Sequence, residues 1–191
     1  MVQPKYLGRL TTKAHEFEQE LFTSRYMTPG VSKEKSYWFD DYGRVINSKE
    51  GDTHRIKYSL SEVESMKNHR LTHSHSIGYP PSHDDIIFAV LIANLKEIRA
   101  VGIFNGKRLI HSVERIGENW IYIDGSPVNM DFISKSESIY KKNMTALIFF
   151  AELKGVKVED LPEEILYDSF QNIVNELESM IKLDYKVFED E

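Results

Sequence analysis

Asn105-Gly106 separates two runs rich in strand-forming residues, Glu97–Phe104 and Lys107–Val113. Both turn residues accept the positive φ of a two-residue hairpin, and the twist of paired strands favours that turn. The chain is therefore committed to an antiparallel strand pair, and its helices have to cover a sheet.

The helical signals are equally local. Ala14, Phe17 and Leu21 share one stripe of a segment from Thr12 to about Thr23, which is amphipathic helix spacing. Ser61-Glu62-Val63-Glu64 has the Ser-x-x-Glu form of a capping box and opens a short helix to about Asn68. Ser82 opens another, with Ile86, Ile87, Val90 and Leu91 on its inner side. Phe132 to Leu153 reads as a long helix closed by Gly155 in the left-handed conformation. Asp160-Leu161-Pro162-Glu163 supplies an N-cap, a first-turn proline and a capping glutamate for a last helix. Its apolar stripe is Ile165, Leu166, Ile173, Val174, Leu177 and Ile181. The final four residues, Phe-Glu-Asp-Glu, read as a frayed acidic tail.

Ser36–Phe39 and Arg44–Ile46 read as strands around the turn Asp40-Asp41-Tyr42-Gly43; His54–Leu60, Leu71–His75 and Asn119–Ile123 read as further extended segments. The expected fold class is α/β, a mixed sheet flanked by helices. The expected organisation is a core over residues 1–125 with its N-terminal helix, and a helical C-terminal extension over residues 126–191 packed on that core.

With 191 residues, 41% of them hydrophobic, and no cysteine, such a chain builds its core without disulfides and offers no thiolate for catalysis or metal binding. A net charge of −6 opposes the field that nucleic-acid phosphates require. The longest apolar runs, such as Ala146–Ala151, fall far short of the roughly 20 residues that span a bilayer. The opening residues have no signal-peptide character. The expectation is a soluble cytoplasmic protein without nucleic-acid or membrane partners.

Four of the seven histidines, at positions 69, 73, 75 and 83, fall within fifteen residues. On a strand, residues i and i+2 share a face, so His73 and His75 present two imidazoles together while Thr72 and Ser74 point away. Beyond the Pro80-Pro81 loop, Ser82-His83-Asp84-Asp85 starts a helix and carries Asp85 in its first turn. Two imidazoles and one carboxylate leave one tetrahedral position open, which is the form of a catalytic zinc site. Taken separately, His-x-His is also an ordinary surface pair, and Ser82 with Asp85 is also a plain helix cap. Tyr79, at the loop tip, is a candidate for substrate contact, and the aromatics elsewhere read mostly as core.

Here the sequence resembles the JAB/MPN (JAMM) metalloprotease superfamily, in a divergent bacterial or phage-type form. That family's signature is His-(Ser/Thr)-His-Pro, a short loop, then Ser-x-x-Asp. In this chain it stands as His73-Ser74-His75-Ser76, Ile-Gly-Tyr-Pro-Pro, Ser82-His83-Asp84-Asp85. Ser76 occupies the usual proline position, and the interval from His75 to Ser82 is one residue shorter than in familiar members. The similarity covers roughly residues 30–115.

The resemblance implies a cytidine-deaminase-like arrangement of sheet and helices. It implies a zinc ion (Zn2+) on His73, His75 and Asp85, with Ser82 supporting the oxyanion. It also implies a general-base glutamate ahead of the preceding strand, which points to Glu34; Glu50, Glu16, Glu18 and Glu20 are alternatives. The implied activity is hydrolysis of a peptide or isopeptide bond in a protein or peptide substrate of ubiquitin-like or phage origin. A second reading is a noncatalytic binding or inhibitory protein, in phage assembly or host interference, that retains the fold.

Overall fold

The computed structural model describes residues 5–8, 13–53 and 55–190. Thr12 and His54, where the first helix and a strand were expected to begin, lie outside them, as does the terminal Glu191. The elements run β1 (Lys5–Leu7), α1 (His15–Leu21), α2 (Ser24–Met27), β2 (Lys35–Phe39), β3 (Val45–Glu50), α3 (Leu60–Met66), β4 (Arg70–Ser74), α4 (His83–Ile87), β5 (Glu97–Phe104), β6 (Lys107–Arg115), α5 (Asp131–Lys154), α6 (Glu163–Glu178) and β7 (Leu183–Asp190). A π-helical stretch, Phe88–Ile92, prolongs α4.

One mixed sheet holds all the strands in the order β1-β7-β6-β5-β4-β2-β3. Strands β5 and β6 pair antiparallel around Asn105-Gly106, both at positive φ. Strands β4 and β5 are parallel, with Arg70 opposite Glu97 and Ser74 opposite Val101; α4 and its π extension form the crossover between them.

Side-chain alternation divides the core between the two faces of the sheet. Tyr37, Phe39, Val101 and Ile110 join Leu21, Phe22, Tyr26 and Met27 beneath α1 and α2. Trp38, Leu71, Ile98, Leu109 and Val113 pack instead with Ile86, Val90, Phe132, Tyr167 and Leu177 from α4 to α6.

Several expectations are corrected. The closing residues are no frayed tail. Leu183, Tyr185 and Val187 are buried, and β7 pairs with β6 along its full length and with β1 in parallel. Charged residues along it are met by partners, Lys107 on Glu189 and Lys186 on both Glu114 and Asp184. Residues 126–191 thus contribute two helices and a strand of the sheet. Residues 55–59 form no strand and lead directly into α3.

Residues 119–123 make only two isolated bridges, Ile121 to Pro127 and Tyr122 to Ile181. The capping box of α3 is Ser59 with Glu62, two residues before the pair expected, and Lys49 holds the Glu62 carboxylate in place at 2.6 Å. Pro162 precedes α6, while Asp160 ends a short 3-10 turn. Gly155 closes α5 in the left-handed conformation as expected. Among the described residues, no helix is long and apolar enough to cross a membrane.

Beneath α1 the sheet carries a buried charge cluster. Arg99 donates to Glu18 at 2.9 Å and to Glu97 at 2.5 Å, and all three side chains are almost wholly buried. Thr72 donates to Glu18, and Ser112 and Arg70 donate to Glu97. Burial disfavours the Glu97 carboxylate, but Arg99 and Arg70 outweigh it and hold its pKa down at about 2. Removing one partner of such a cluster strands the others without a counterion. Arg99→Met is expected to lower unfolding stability by about 3 kcal/mol in urea denaturation; a loss under about 1 kcal/mol would show that the cluster is not what docks α1.

Candidate metal centre

Leu71 packs in the core beneath α4, and His73 and His75 follow it on the same face, where β4 runs out. Thr72 and Ser74 point to the opposite side. Thr72 bonds Glu18 of α1, and Ser74 Oγ accepts from the Lys35 amide. The crossover then starts α4 beside the end of β4. His73 Nε2 stands 2.9 Å from His75 Nε2, and Asp85 Oδ2 stands 3.3 and 3.4 Å from the two nitrogens.

This triangle has the dimensions of a metal-ligand face. Ligands on a tetrahedral zinc at about 2.0–2.1 Å lie about 3.3 Å from one another. Two imidazole nitrogens and a carboxylate oxygen are a suitable zinc donor set, and these three residues form the only such group among the described residues. Lone pairs crowded together this closely need a positive charge among them.

Burial disfavours the His73 imidazolium, but the adjacent Asp85 carboxylate, aided by Glu34, holds its pKa above the ordinary value. Burial likewise disfavours the Asp85 carboxylate, yet the two imidazoles hold its pKa well below the usual range.

Asp85 performs two tasks with one oxygen. Its Oδ2 accepts from the Ser82 amide and the Ser82 hydroxyl, both at 2.7 Å, while its own amide donates to Ser82 Oγ at 3.2 Å. The helix cap and the candidate ligand are therefore one structure. The Ser82 hydroxyl, expected to support an oxyanion, is committed here to Asp85.

His75 is fixed through its far nitrogen. Nδ1 lies 3.1 Å from the Tyr79 carbonyl, an acceptor only, so Nδ1 carries the proton and Nε2 turns its lone pair toward the other ligands. The loop that supplies this carbonyl is held in turn. His111 Nε2 donates to the neighbouring Gly78 carbonyl at 3.0 Å, and Tyr185 Oη donates to His111 Nδ1 at 2.8 Å. Burial drives the His111 pKa down to about 3, so the ring is neutral at physiological pH. Gly78, at φ +68°, lies directly on Gly102. A β-carbon on Gly102 would come within 2.3 Å of the His75 carbonyl oxygen and 2.4 Å of Gly78 Cα. The Gly78 amide donates to the His75 carbonyl and closes the turn there.

Glu34 stands just ahead of β2, and its backbone pairs with Asp52 and Gly51. Because Ser36 lies opposite His73, alternation puts Glu34 on the histidine face. It lines the same cleft of about 560 Å³ as His73, His75, Ser82 and Asp85. Burial raises the Glu34 pKa, the two imidazoles oppose that rise, and Asp85 reinforces it. None of the alternative glutamates lines this cleft. Glu50 pairs with Arg25 and Lys33, while α1 carries Glu16, Glu18 and Glu20 across the sheet.

His83 packs away from the triad, bonding Ser136 at 3.1 Å and stacking on Tyr140. Tyr79 likewise stacks on Phe170 of α6 and does not line the cleft. Sequence reasoning missed Tyr58 and Gly102; it read His111 as structural or exposed and not a ligand, and the ring is buried in a supporting role. Tyr58 lines the cleft, stacks on Phe88 and donates to Ser36 Oγ at 2.9 Å. Its only sequence signal was an aromatic in a segment expected to be a strand. Comparison with family models, with curated proteins and with solved structures returned no match, so the functional reading rests on the side-chain geometry and on the motif.

Two outcomes test this support. His111 has a depressed pKa in the folded state. Its contribution to stability is full above about pH 6.5 and declines toward about pH 3, at up to about 1.4 kcal/mol per pH unit. His111→Gln should flatten that part of the pH–stability curve relative to the parent; an unchanged slope would mean that the histidine is not buried neutral. Gly102→Ala should push the His75 loop off β5 and weaken divalent-metal affinity by about tenfold or more, read by competition with a chromogenic chelator.

Proposed function

We propose that the protein is a zinc-dependent hydrolase of peptide or isopeptide bonds. The observation that carries this reading is the triangle of His73 Nε2, His75 Nε2 and Asp85 Oδ2, with edges of 2.9–3.4 Å, set in an open cleft beside Glu34. The resemblance of the same residues to the JAB/MPN motif supports it. A zinc ion held by these three residues would supply Lewis acidity and bring the pKa of water to about 7.

The remaining roles belong to the chain. His73, His75 and Asp85 would hold that ion. Glu34, partly buried with a raised pKa, takes a proton from the attacking water and returns it to the departing amine. Ser82 holds Asp85 in place through its amide and hydroxyl, and that hydroxyl reaches a developing oxyanion only by turning away from the carboxylate. The electrostatic environment suits the base. Depriving a carboxylate of solvent brings its pKa nearer to neutrality, where proton transfer in both directions is efficient.

Elemental analysis of the purified protein should find about one zinc per chain, removed by a strong chelator. His73→Ala and Asp85→Ala should each reduce zinc affinity by at least about a hundredfold. Glu34→Gln should retain zinc and lose turnover of peptide substrates by about a thousandfold or more. Zinc retained in both ligand variants would sink the site. Full zinc binding without turnover in the parent would favour the noncatalytic binding role.

A further inference from the structure

The cleft beside the triad is unequal in its chemistry, and this inequality selects an occupant. Its floor is polar, formed by Glu34, His73, His75 and Asp85. Its walls are apolar: Ile56, Leu60 and Val63 on one side, Phe88 and Ile92 on the other. Leu60 is 85% exposed and Ile92 59% exposed. Single exposed aliphatic residues are common, but these two flank one opening that leads to the triad. At about 560 Å³ the space fits a few peptide residues, well within the usual range for small-ligand sites.

The mouth carries charge of both signs on different elements. Asp84, in the first turn of α4, has its side chain 98% exposed. Arg55 lines the opening from the segment before α3, and its guanidinium makes no hydrogen bond or ion pair among the described residues. Its backbone is anchored, since the Arg55 amide donates to Asp52 Oδ1 and its carbonyl accepts from the Asp52 amide. An unpartnered cation on a fixed backbone beside an apolar channel complements an anion borne by an apolar ligand.

We infer that the cleft binds a peptide segment in which a bulky apolar side chain stands next to a carboxylate. The apolar group lies between Leu60 and Ile92, and the carboxylate pairs with Arg55. As an account of substrate choice this rests on the triad being the reaction centre, but the recognition itself needs neither a metal nor turnover.

The test uses the full-length protein stripped of metal by chelator and three capped, fluorescently labelled pentapeptides. The first has leucine beside glutamate in a glycine background, the second replaces that leucine by glycine, and the third replaces the glutamate by glutamine. Fluorescence anisotropy should show the first binding about tenfold tighter than the second and about threefold tighter than the third. Leu60→Ser and Ile92→Ser, both at exposed positions, should erase the preference for leucine. Arg55→Gln should erase the preference for glutamate and keep that for leucine. Equal binding of the three peptides, or preferences unchanged in the variants, would overturn the inference. Since no ion takes part, a protein that holds no zinc would sink the hydrolase reading while leaving this result intact.

Discussion

The parallel pairing of β4 with β5 is the constraint on which the site depends. Parallel neighbours need a crossover, and here the connection passes through α4, so the start of that helix returns to the end at which β4 stops. Side chains at the carboxyl end of a strand then face the first turn of a helix, the place where open α/β sheets commonly bind ligands. His73 and His75 occupy the strand end, Asp85 the helix turn, and the Gly78–Gly102 contact sets the path between them. Antiparallel pairing of the same two strands would have sent the chain back by a short turn and left the imidazoles without their carboxylate.

Polar burial is managed differently on the two faces of the sheet. Under α1, the carboxylates of Glu18 and Glu97 are balanced by Arg99 and Arg70, and Thr72 and Ser112 supply further donors. That network ties α1 to the sheet, with Glu18 Oε2 left buried and without a hydrogen bond. On the other face, His73, His75 and Asp85 form a group that could hold a metal ion. His75 is tied to backbone through its far nitrogen at Tyr79, and Asp85 Oδ2 is held by Ser82 while it faces both imidazoles. Arg55 and Glu34 add charge at the rim and wall of the same cleft. That contrast separates a structural cluster from a site.

Local signals were legible wherever a residue's role depends on its near neighbours. Asn105-Gly106 specified its hairpin, Gly155 its helix end, and the i, i+2 spacing put both histidines on one face. Two Ser-x-x-Glu patterns overlap at Ser59 and Ser61, and nothing local chooses between them; Lys49, on a separate strand, does so by pairing with Glu62. Strand β7 carries the alternation of a half-buried strand, but its acidic end resembles a solvated tail until Lys107 and Arg108 are brought beside it. Residues 55–59 show the converse, a strand-like alternation that joins no sheet, with Ile56 and Tyr58 lining the cleft instead. Tyr79 was a reasonable candidate for substrate contact until α6 placed Phe170 against its ring.

The sequence by itself determined the elements of the site: a two-imidazole face on a strand and a serine–aspartate cap at a helix start. Both follow from the two-residue and 3.6-residue repeats of the backbone, which any short segment carries within itself. Only the tertiary structure decided that the cap and the face converge within 3.4 Å, that Glu34 shares their cleft, and that His111 and Gly102 hold the intervening loop. Those relations join residues far apart along the chain. They are set by which backbones can approach one another and which buried groups must find partners, and no stretch of neighbouring residues encodes either.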